Sequence, residues 1–202
     1  MLPSRLIRSR LEAGCDEAGR GCLAGPVFAA AVILPPDLEH ELLNDSKVLE
    51  PADREMMAEF IKEQAISYGV SFCSPGKIDQ INILNASFAA MHAAVRKLQT
   101  RPAHLLIDGN RFNPLKGYDF TTIIKGDGKI GSIAAASILA KTARDKYMKR
   151  KHRDYPQYHW ITNKGYPTMA HRQAILDHGL TPLHRMSFRQ YPLPEQLVLF
   201  DT

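Results

Sequence analysis

The chain has 202 residues, of which 45% are hydrophobic and 23% are charged, and its net charge is +5. This length suits one domain with a well-sized core, and the composition excludes a disordered or disulfide-stapled chain. The excess of basic over acidic residues is compatible with a polyanionic partner such as a nucleic acid, although ordinary basic proteins show it too.

The N-terminus lacks an apolar signal segment, and no apolar run is long enough to span a membrane. We therefore expect a cytoplasmic protein with no membrane partner. The sequence says nothing about oligomeric state, and a monomer is assumed. The three cysteines, Cys15, Cys22 and Cys73, form no CxxC pair and are odd in number. Neither a disulfide framework nor a structural zinc site is therefore expected.

The first predicted elements are two strands that flank a charged, glycine-rich segment. Residues 11–15 are short and mixed, whereas residues 27–34 form an apolar run typical of a strand buried on both faces. The segment between them begins with two adjacent acids, Asp16 and Glu17. Because successive side chains of a strand point to opposite faces, these acids can share one site only if the chain begins to turn between them.

This segment combines ligands for a cation with groups that favour an anion. Carboxylates about 4 Å apart repel by roughly 4 kcal/mol at an effective dielectric constant near 20, so a site that gathers them needs a proton or a divalent cation. Oxygen ligands suit Mg²⁺ or Mn²⁺. Gly19 and Gly21 allow backbone N–H groups to approach a phosphate or sugar, and Arg20 can bind a phosphate. Taken alone, the segment is equally compatible with a simple glycine-containing turn.

Strands and helices alternate through the middle of the chain. The predicted elements are a helix over 51–64, a strand over 65–72, a helix start at Ser74 and Pro75, a helix over 85–98, and strands over 104–110 and 120–124. Asp108 and Asp127 come at or just after the last two strands. Acids in such positions are where a sheet delivers ligands to a site.

The C-terminal part is predicted to be helical. The clearest helix covers residues 131–151, and its small residues indicate close packing on the sheet. A loop follows over 155–167, then a helix over 168–178 and a Pro-containing tail. The alternation of strands and helices predicts an α/β fold.

Across nearly its whole length the chain resembles bacterial ribonuclease HII. The matching fragments are Asp16-Glu17-Ala18-Gly19-Arg20-Gly21 with Gly25-Pro26-Val27, Asn44-Asp45-Ser46-Lys47, Ile107-Asp108-Gly109, Lys125-Gly126-Asp127, Ala134-Ala135-Ala136-Ser137-Ile138, Ala140-Lys141, Arg144-Asp145, Lys164-Gly165-Tyr166-Pro167-Thr168 and His184-Arg185-Met186-Ser187-Phe188. The resemblance implies an RNase H-like fold, a mixed central sheet flanked by helices, with a helical C-terminal extension. It implies a catalytic domain over 1–190 and a tail over 191–202.

The resemblance also implies a metal-dependent endonuclease. Members of the ribonuclease HII family cleave the RNA strand of RNA/DNA hybrids and cut 5′ of single ribonucleotides in duplex DNA, leaving 3′-hydroxyl and 5′-phosphate ends. They act in replication and repair. The four acids of the family match Asp16, Glu17, Asp108 and Asp127, which would bind the metal and be catalytic. Two Mg²⁺ or Mn²⁺ ions about 3.5–4 Å apart would activate a water and stabilise the leaving 3′ oxygen.

Other matched residues are expected to bind substrate. In the family the backbone at Gly19, Arg20 and Gly21 contacts the ribonucleotide, and Tyr166 packs on the neighbouring sugar and senses the 2′-hydroxyl. Lys47 is expected to face a phosphate. Without the resemblance, the tyrosine would be read as a core residue and the lysine as a solvated one.

Three further features of the C-terminal half have open interpretations. Asp145 is a candidate to support a metal ligand or a basic side chain, or else a surface acid of its helix. The basic residues between 144 and 153 either follow the duplex backbone or form a charged helix face. His184 either approaches the site or is a structural histidine, and the second interpretation is favoured.

The tail resembles peptides that bind bacterial sliding clamps. The matching residues are Gln196, Leu197, Leu199 and Phe200. Apolar side chains on a short tail could fill a groove on the clamp or pack back on their own domain.

Two competing functions share these motifs. One is a metal nuclease of the same fold that acts on another structured nucleic acid. The other is a hybrid-binding protein that no longer cleaves, which the presence of all four acids argues against.

Overall fold

The computed structural model describes residues 2–38, 40–43 and 49–190. Its strands are β1 (Glu12–Ala18), β2 (Val27–Ile33), β3 (Ser67–Cys73), β4 (His104–Asp108) and β5 (Phe120–Ile123). Its α-helices are α1 (Pro51–Gln64), α2 (Pro75–Arg96), α3 (Gly131–His152), α4 (Trp160–Asn163) and α5 (Met169–His178), and short 3₁₀ turns lie at Gly126–Gly128 and Pro156–Tyr158. The helices predicted over 51–64 and 131–151 are confirmed to within one residue.

The strands form one mixed sheet in the order β3-β2-β1-β4-β5. β1 to β3 are antiparallel neighbours, whereas β1, β4 and β5 run parallel. The carboxyl ends of β1 and β4 therefore meet at the same edge of the sheet, as in other sheets that present ligands there. The sheet and its flanking helices confirm the predicted α/β class.

Helices cover both faces of the sheet. On one face, α2 contributes Phe88, Met91 and Val95 to a cluster with the odd-numbered side chains of β1 and β2. On the other face, α1 and α3 pack on the even-numbered side chains of β2. Gly14 lets α3 approach β1 closely, because a Cβ there would lie 2.2 Å from the backbone carbonyl carbon of Ser132. The small residues of α3 thus serve close packing, as predicted.

The C-terminal segment forms a separate small core beside α3. Trp160 and Tyr158 are buried there and stack with ring centroids 5.2 Å apart. Ile175 of α5 and Met148 of α3 belong to the same cluster. The segment predicted to be a loop over 155–167 therefore contains a 3₁₀ turn and the short helix α4.

One prediction about the path of the chain was wrong, whereas a predicted helix break was right. β1 continues through both acids to Ala18, so the chain does not turn between Asp16 and Glu17. The helix start predicted at Ser74 and Pro75 and the helix predicted from about residue 85 are confirmed as the two halves of α2, which is kinked at Asn82 (φ 64°). The Asn82 side chain accepts the Asn85 N–H at 3.1 Å and thereby caps that second half.

Among the described residues, no helix is both long enough and apolar enough to cross a membrane. Lys47 and residues 191–202, with the candidate clamp-binding residues, lie outside the described ranges.

Candidate active site

Asp16, Glu17 and Asp108 lie together at the carboxyl edge of the sheet. The last pair of the β1–β4 ladder is Cys15 with Ile107, so β4 ends immediately beyond it at Asp108. The last residues of β1 therefore have no strand beside them on that side. Asp16 faces α3 and Glu17 faces α2, as strand alternation requires. They still border a common space because the edge between them is open.

Two hollows meet at this open edge. The first, here called the Tyr166 hollow, has a volume of about 260 Å³ and is lined by Asp16, Glu17, Ala18, Gly19, Asp108, Ser137, Lys141 and Tyr166. The second, here called the α2 hollow, has a volume of about 300 Å³ and is lined by Glu17, Arg20, Leu84, Ser87, Phe88, Met91, Asp108, Gly109, Asn110 and Arg111. Glu17 and Asp108 belong to both, so the two hollows form one groove that passes over the carboxylates.

The carboxylates of this edge repel one another. Asp16 is only 5% exposed, and burial, followed by the charges of Glu17 and Asp108, raises its pKa well above the ordinary value. Hydrogen bonds from the Ser137 side chain and the Glu17 N–H, the latter at 2.7 Å, oppose that rise. Burial also raises the pKa of Glu17, against the attraction of Arg20. The site thus holds negative charge that is only partly compensated.

Asp127 lies beside this group in the 3₁₀ turn that follows β5, rather than at the end of the strand itself. The preceding residue, Gly126, donates its N–H to Oδ1 of Asp108 at 2.7 Å, which ties the turn to the carboxylate edge. The Asp127 side chain is 3% exposed, and the described residues that line the two hollows do not include it. The structure therefore brings three predicted acids into one groove and the fourth into the adjoining turn.

The donor set of the groove suits a hard divalent cation. Its charged ligands are carboxylate oxygens, and a cation among them would relieve their repulsion. Within the described part of the chain, however, no three His, Cys, Asp or Glu side chains are already arranged to hold an ion. Glu17 instead pairs with Arg20 at 3.2 Å. Metal binding would thus exchange one positive partner of Glu17 for another.

Gly19 and Arg20 of the Gly19-Arg20-Gly21 turn line the groove just beyond β1. Gly19 is buried with φ of +92°, and a Cβ there would lie 2.0 Å from Nε of Arg144. Gly21 is exposed, and a Cβ there would meet no atom within 4 Å. Contacts within the protein therefore explain the first glycine, while the second leaves bare backbone facing open space.

Tyr166 also lines the Tyr166 hollow and is 41% exposed. It follows Gly165, whose φ of +83° and close approach to the Ala24 carbonyl leave no room for a Cβ. The guanidinium carbon of Arg144 lies 5.6 Å from the centre of the Tyr166 ring. The phenol is protonated at neutral pH, since its ordinary pKa is about 10 and burial raises it further.

Two residues of the Tyr166 hollow had no role assigned from the sequence. Ser137 of α3 bonds to the Asp16 carboxylate, and Lys141, one helical turn later, lines the same hollow. Both lay in matched fragments, and their spacing of four residues places them on one helix face. That spacing was the one sequence feature that linked the two residues. It points to the site only once α3 is known to pack beside β1.

Asp145 and the basic residues near it are largely engaged within the protein. Asp145 is buried and pairs with Arg54 at 2.9 Å, so the surface interpretation was wrong and it does support a basic side chain. Arg144 is also buried and donates to the carbonyls of Ala24 and Pro26, so it does not follow a duplex backbone. Three other members of the basic cluster pair with acids on exposed surface, namely Lys146 with Glu59, Lys149 with Glu55 and Lys151 with Asp154.

His184 is a structural histidine, as favoured from the sequence. Its Nδ1 accepts the Thr181 N–H at 2.9 Å, and its Nε2 lies 3.3 Å from Nε2 of His171. Nε1 of Trp160 donates to His171 at 3.0 Å. Burial, followed by the neighbouring His171, lowers the pKa of His184 to about 4.

A family profile and a curated relative indicate the same family for this chain. The profile of the family described as Ribonuclease HII matches residues 13–191. A Ribonuclease HII from Parabacteroides distasonis is 59% identical over 98% of this chain and 99% of its own length.

Solved structures with related folds point the same way. The structure described as the PCNA:RNase HII complex from Archaeoglobus fulgidus has a TM-score of 0.71 and 25% identity, covering 92% of this chain and 99% of that chain. Bst-RNase HIII in complex with Mn²⁺ has a TM-score of 0.68 at 18% identity, covering 93% of this chain and 71% of that chain, a likeness of fold alone. These neighbours confirm the predicted RNase H-like fold.

Proposed function

Because the chain belongs to the ribonuclease HII family, an enzyme family of ribonuclease H endonucleases, we propose that it cleaves the RNA strand of RNA/DNA hybrids and cuts 5′ of single ribonucleotides in duplex DNA. The products would carry 3′-hydroxyl and 5′-phosphate ends, as in ribonucleotide removal during replication and repair. The observation that carries this proposal is the groove at the carboxyl edge of the sheet, which Asp16, Glu17 and Asp108 line together with Gly19, Arg20 and Tyr166.

The acids of the groove would hold divalent cations during catalysis. Asp16, Glu17, Asp108 and the adjoining Asp127 supply oxygen ligands that suit Mg²⁺ or Mn²⁺, two ions in the active complex. The Mn²⁺ complex of the Bst-RNase HIII neighbour supports this proposal. Such ions lower the pKa of a bound water and stabilise the charge that develops on a phosphodiester.

The protein groups around the acids would position the substrate strand. The Tyr166 hollow would take the ribonucleotide, whose 2′-hydroxyl can bond to the tyrosine hydroxyl and to backbone N–H groups near Gly21. The α2 hollow would take the nucleotide across the scissile phosphate, with Arg111 on its rim to contact a phosphate. Lys141, and Lys47 outside the described residues, would offset phosphate charge.

The decisive experiment is a metal-titrated cleavage assay on duplex DNA. Matched duplexes carry zero, one or several ribonucleotides, and the cut position is mapped. Cleavage only of the ribonucleotide-containing duplexes, on the 5′ side of the ribonucleotide, is the expected result. Equal cleavage of the all-DNA duplex would refute the proposed substrate.

Substitution at one acid tests the metal assignment. Asp108→Asn keeps the shape of the side chain and removes its charge, so we expect loss of cleavage with hybrid binding retained. Binding is measured by fluorescence anisotropy with a labelled hybrid. A fully active Asp108→Asn variant would contradict the assignment.

We propose that residues 1–190 form the catalytic domain and residues 191–202 a tail that binds the DNA sliding clamp. The structure of an RNase HII with PCNA from Archaeoglobus fulgidus supports a clamp partner for such enzymes. Deletion of residues 195–202 should abolish clamp pull-down and leave hybrid cleavage intact. A matched control keeps the tail length and replaces only Leu199 and Phe200 with alanine. Unchanged clamp binding by both variants would remove the proposal.

A further inference from the structure

A buried arginine from the C-terminal segment holds the backbone of the Gly19-Arg20-Gly21 turn. Arg185 is 0% exposed. It lies far from the turn in sequence but contacts it in the fold. Its Nη2 donates to the Gly19 carbonyl at 2.7 Å and its Nη1 donates to the Arg20 carbonyl at 2.8 Å. Its Nε donates to the Gly25 carbonyl at 3.0 Å. All three guanidinium nitrogens thus bind main-chain oxygens, and two of these belong to the turn.

Because the peptide bond is planar, fixing the direction of a carbonyl also fixes the direction of the N–H group in the same peptide. In a trans peptide the C=O of one residue and the N–H of the next point in opposite directions. No cis peptide bond occurs among the described residues. Because the carbonyls of Gly19 and Arg20 point toward Arg185, the N–H groups of Arg20 and Gly21 point away from it. Gly21 itself is exposed, and a Cβ there would meet no atom within 4 Å, so a ligand can approach its backbone.

Arg144 adds a second constraint on the same turn. Its side chain occupies the space that a Cβ at Gly19 would need, and its own guanidinium is fixed by the carbonyls of Ala24 and Pro26. The turn is therefore bounded by two buried cations. A cation bound to a peptide carbonyl also polarises that peptide, which strengthens its N–H as a donor.

Arg185 keeps its charge at neutral pH despite its surroundings. Burial lowers its pKa to about 10, Cys22 opposes that decrease, and Arg144 adds to it. A buried arginine is costly unless its nitrogens find acceptors, and here each of the three nitrogens donates to one carbonyl. The Phe188 ring lies 5.0 Å from its guanidinium carbon and covers it.

From these contacts we propose that Arg185 is a positioning residue for substrate recognition: it fixes two peptide groups of the turn so that the N–H groups of Arg20 and Gly21 face the ribonucleotide. This role deepens the proposed function and rests on it for the identity of the ligand. The orientation of the N–H groups does not depend on that identity.

Arg185→Met tests the proposal, because it removes the three donating nitrogens while keeping an unbranched side chain. Loss of two aligned hydrogen bonds should raise KM for a duplex with one ribonucleotide by about tenfold or more, while kcat stays within about threefold. The amide resonances of Arg20 and Gly21 in the ¹⁵N-labelled protein should shift. Arg185→Lys, whose single nitrogen can bind fewer carbonyls, should give intermediate changes and serves if the methionine variant does not fold.

Ile175→Ala is the matched control for destabilisation. It removes buried apolar atoms from the same C-terminal core without touching the turn, so it should lower Tm and leave KM and both amide resonances unchanged. Unchanged resonances in the Arg185 variants, or equal shifts in Ile175→Ala, would overturn the proposal. If the wild type fails to cut ribonucleotides, the proposed function is wrong, and the resonances still decide whether Arg185 orients the turn.

Discussion

Alanine at the two glycines of the turn should separate folding from substrate recognition. At Gly19 a Cβ would lie 2.0 Å from Nε and 2.4 Å from Cδ of Arg144, and φ is +92°. The backbone strain costs of the order of 1–3 kcal/mol. Displacing Arg144 weakens its hydrogen bonds to two carbonyls, each worth roughly 1.5–3 kcal/mol. We therefore expect Gly19→Ala to lose about 3–5 kcal/mol of unfolding free energy, a decrease of about 6–20 °C in Tm.

Gly21→Ala should behave in the opposite way, since the added methyl group meets no protein atom within 4 Å. Its unfolding free energy should stay within about 0.5 kcal/mol of the wild type, whereas KM for a single-ribonucleotide duplex should rise. Urea denaturation and steady-state cleavage measure the two quantities. A Gly19→Ala variant as stable as the wild type would refute the packing argument. An unchanged KM in Gly21→Ala would refute close approach of the substrate to this backbone.

Three further predictions concern the buried ionisable side chains Asp16, His184 and Asp145. Asp16→Asn should abolish cleavage. It should also raise Tm by a few degrees in a chelating buffer, because it removes a buried carboxylate that Glu17 and Asp108 repel. A lower Tm would contradict this prediction. The pKa of His184 is about 4 when folded and about 6.5 when unfolded, so the unfolded state binds the extra proton between these values. The contribution of neutral His184 to the free energy of unfolding is therefore fully present above pH 6.5 and should fall by about 3 kcal/mol as the pH drops to 4. In urea titrations, His184→Asn should show a correspondingly weaker dependence of stability on pH. Asp145→Ala should cost roughly 3–5 kcal/mol because it leaves Arg54 buried without its partner, and Arg54→Met combined with Asp145→Leu should recover most of that loss in the same assay.

Local pattern was sufficient for most elements because it reflects short-range physics. The apolar run over 27–34 indicated a buried strand, and the small residues of α3 already indicated close packing on the sheet. The separate helices predicted from Ser74 and from about residue 85 match the two halves of α2, and Asn82 with its positive φ is the residue that separates them. Side chains that bond their own backbone can interrupt a helix without changing its apolar pattern.

The site itself was only partly predictable. The sequence determined which residue types could bind a cation, a phosphate and a sugar, since carboxylates, bare glycine backbone and arginine carry that chemistry wherever they lie. It misjudged the path of the chain at Asp16 and Glu17, which share the groove because β4 ends beside them and not because β1 turns.

Tertiary structure alone decided which distant residues act on one another. Parallel pairing of β1 with β4 brings Asp108 to Asp16, and docking of the C-terminal segment brings Arg185 to the carbonyls of Gly19 and Arg20. Arg144 looked like one of several surface cations, yet it is buried beneath the turn. Periodicity reports only the face on which a residue lies. What that face meets depends on strand order and docking, which involve contacts between residues far apart in the chain.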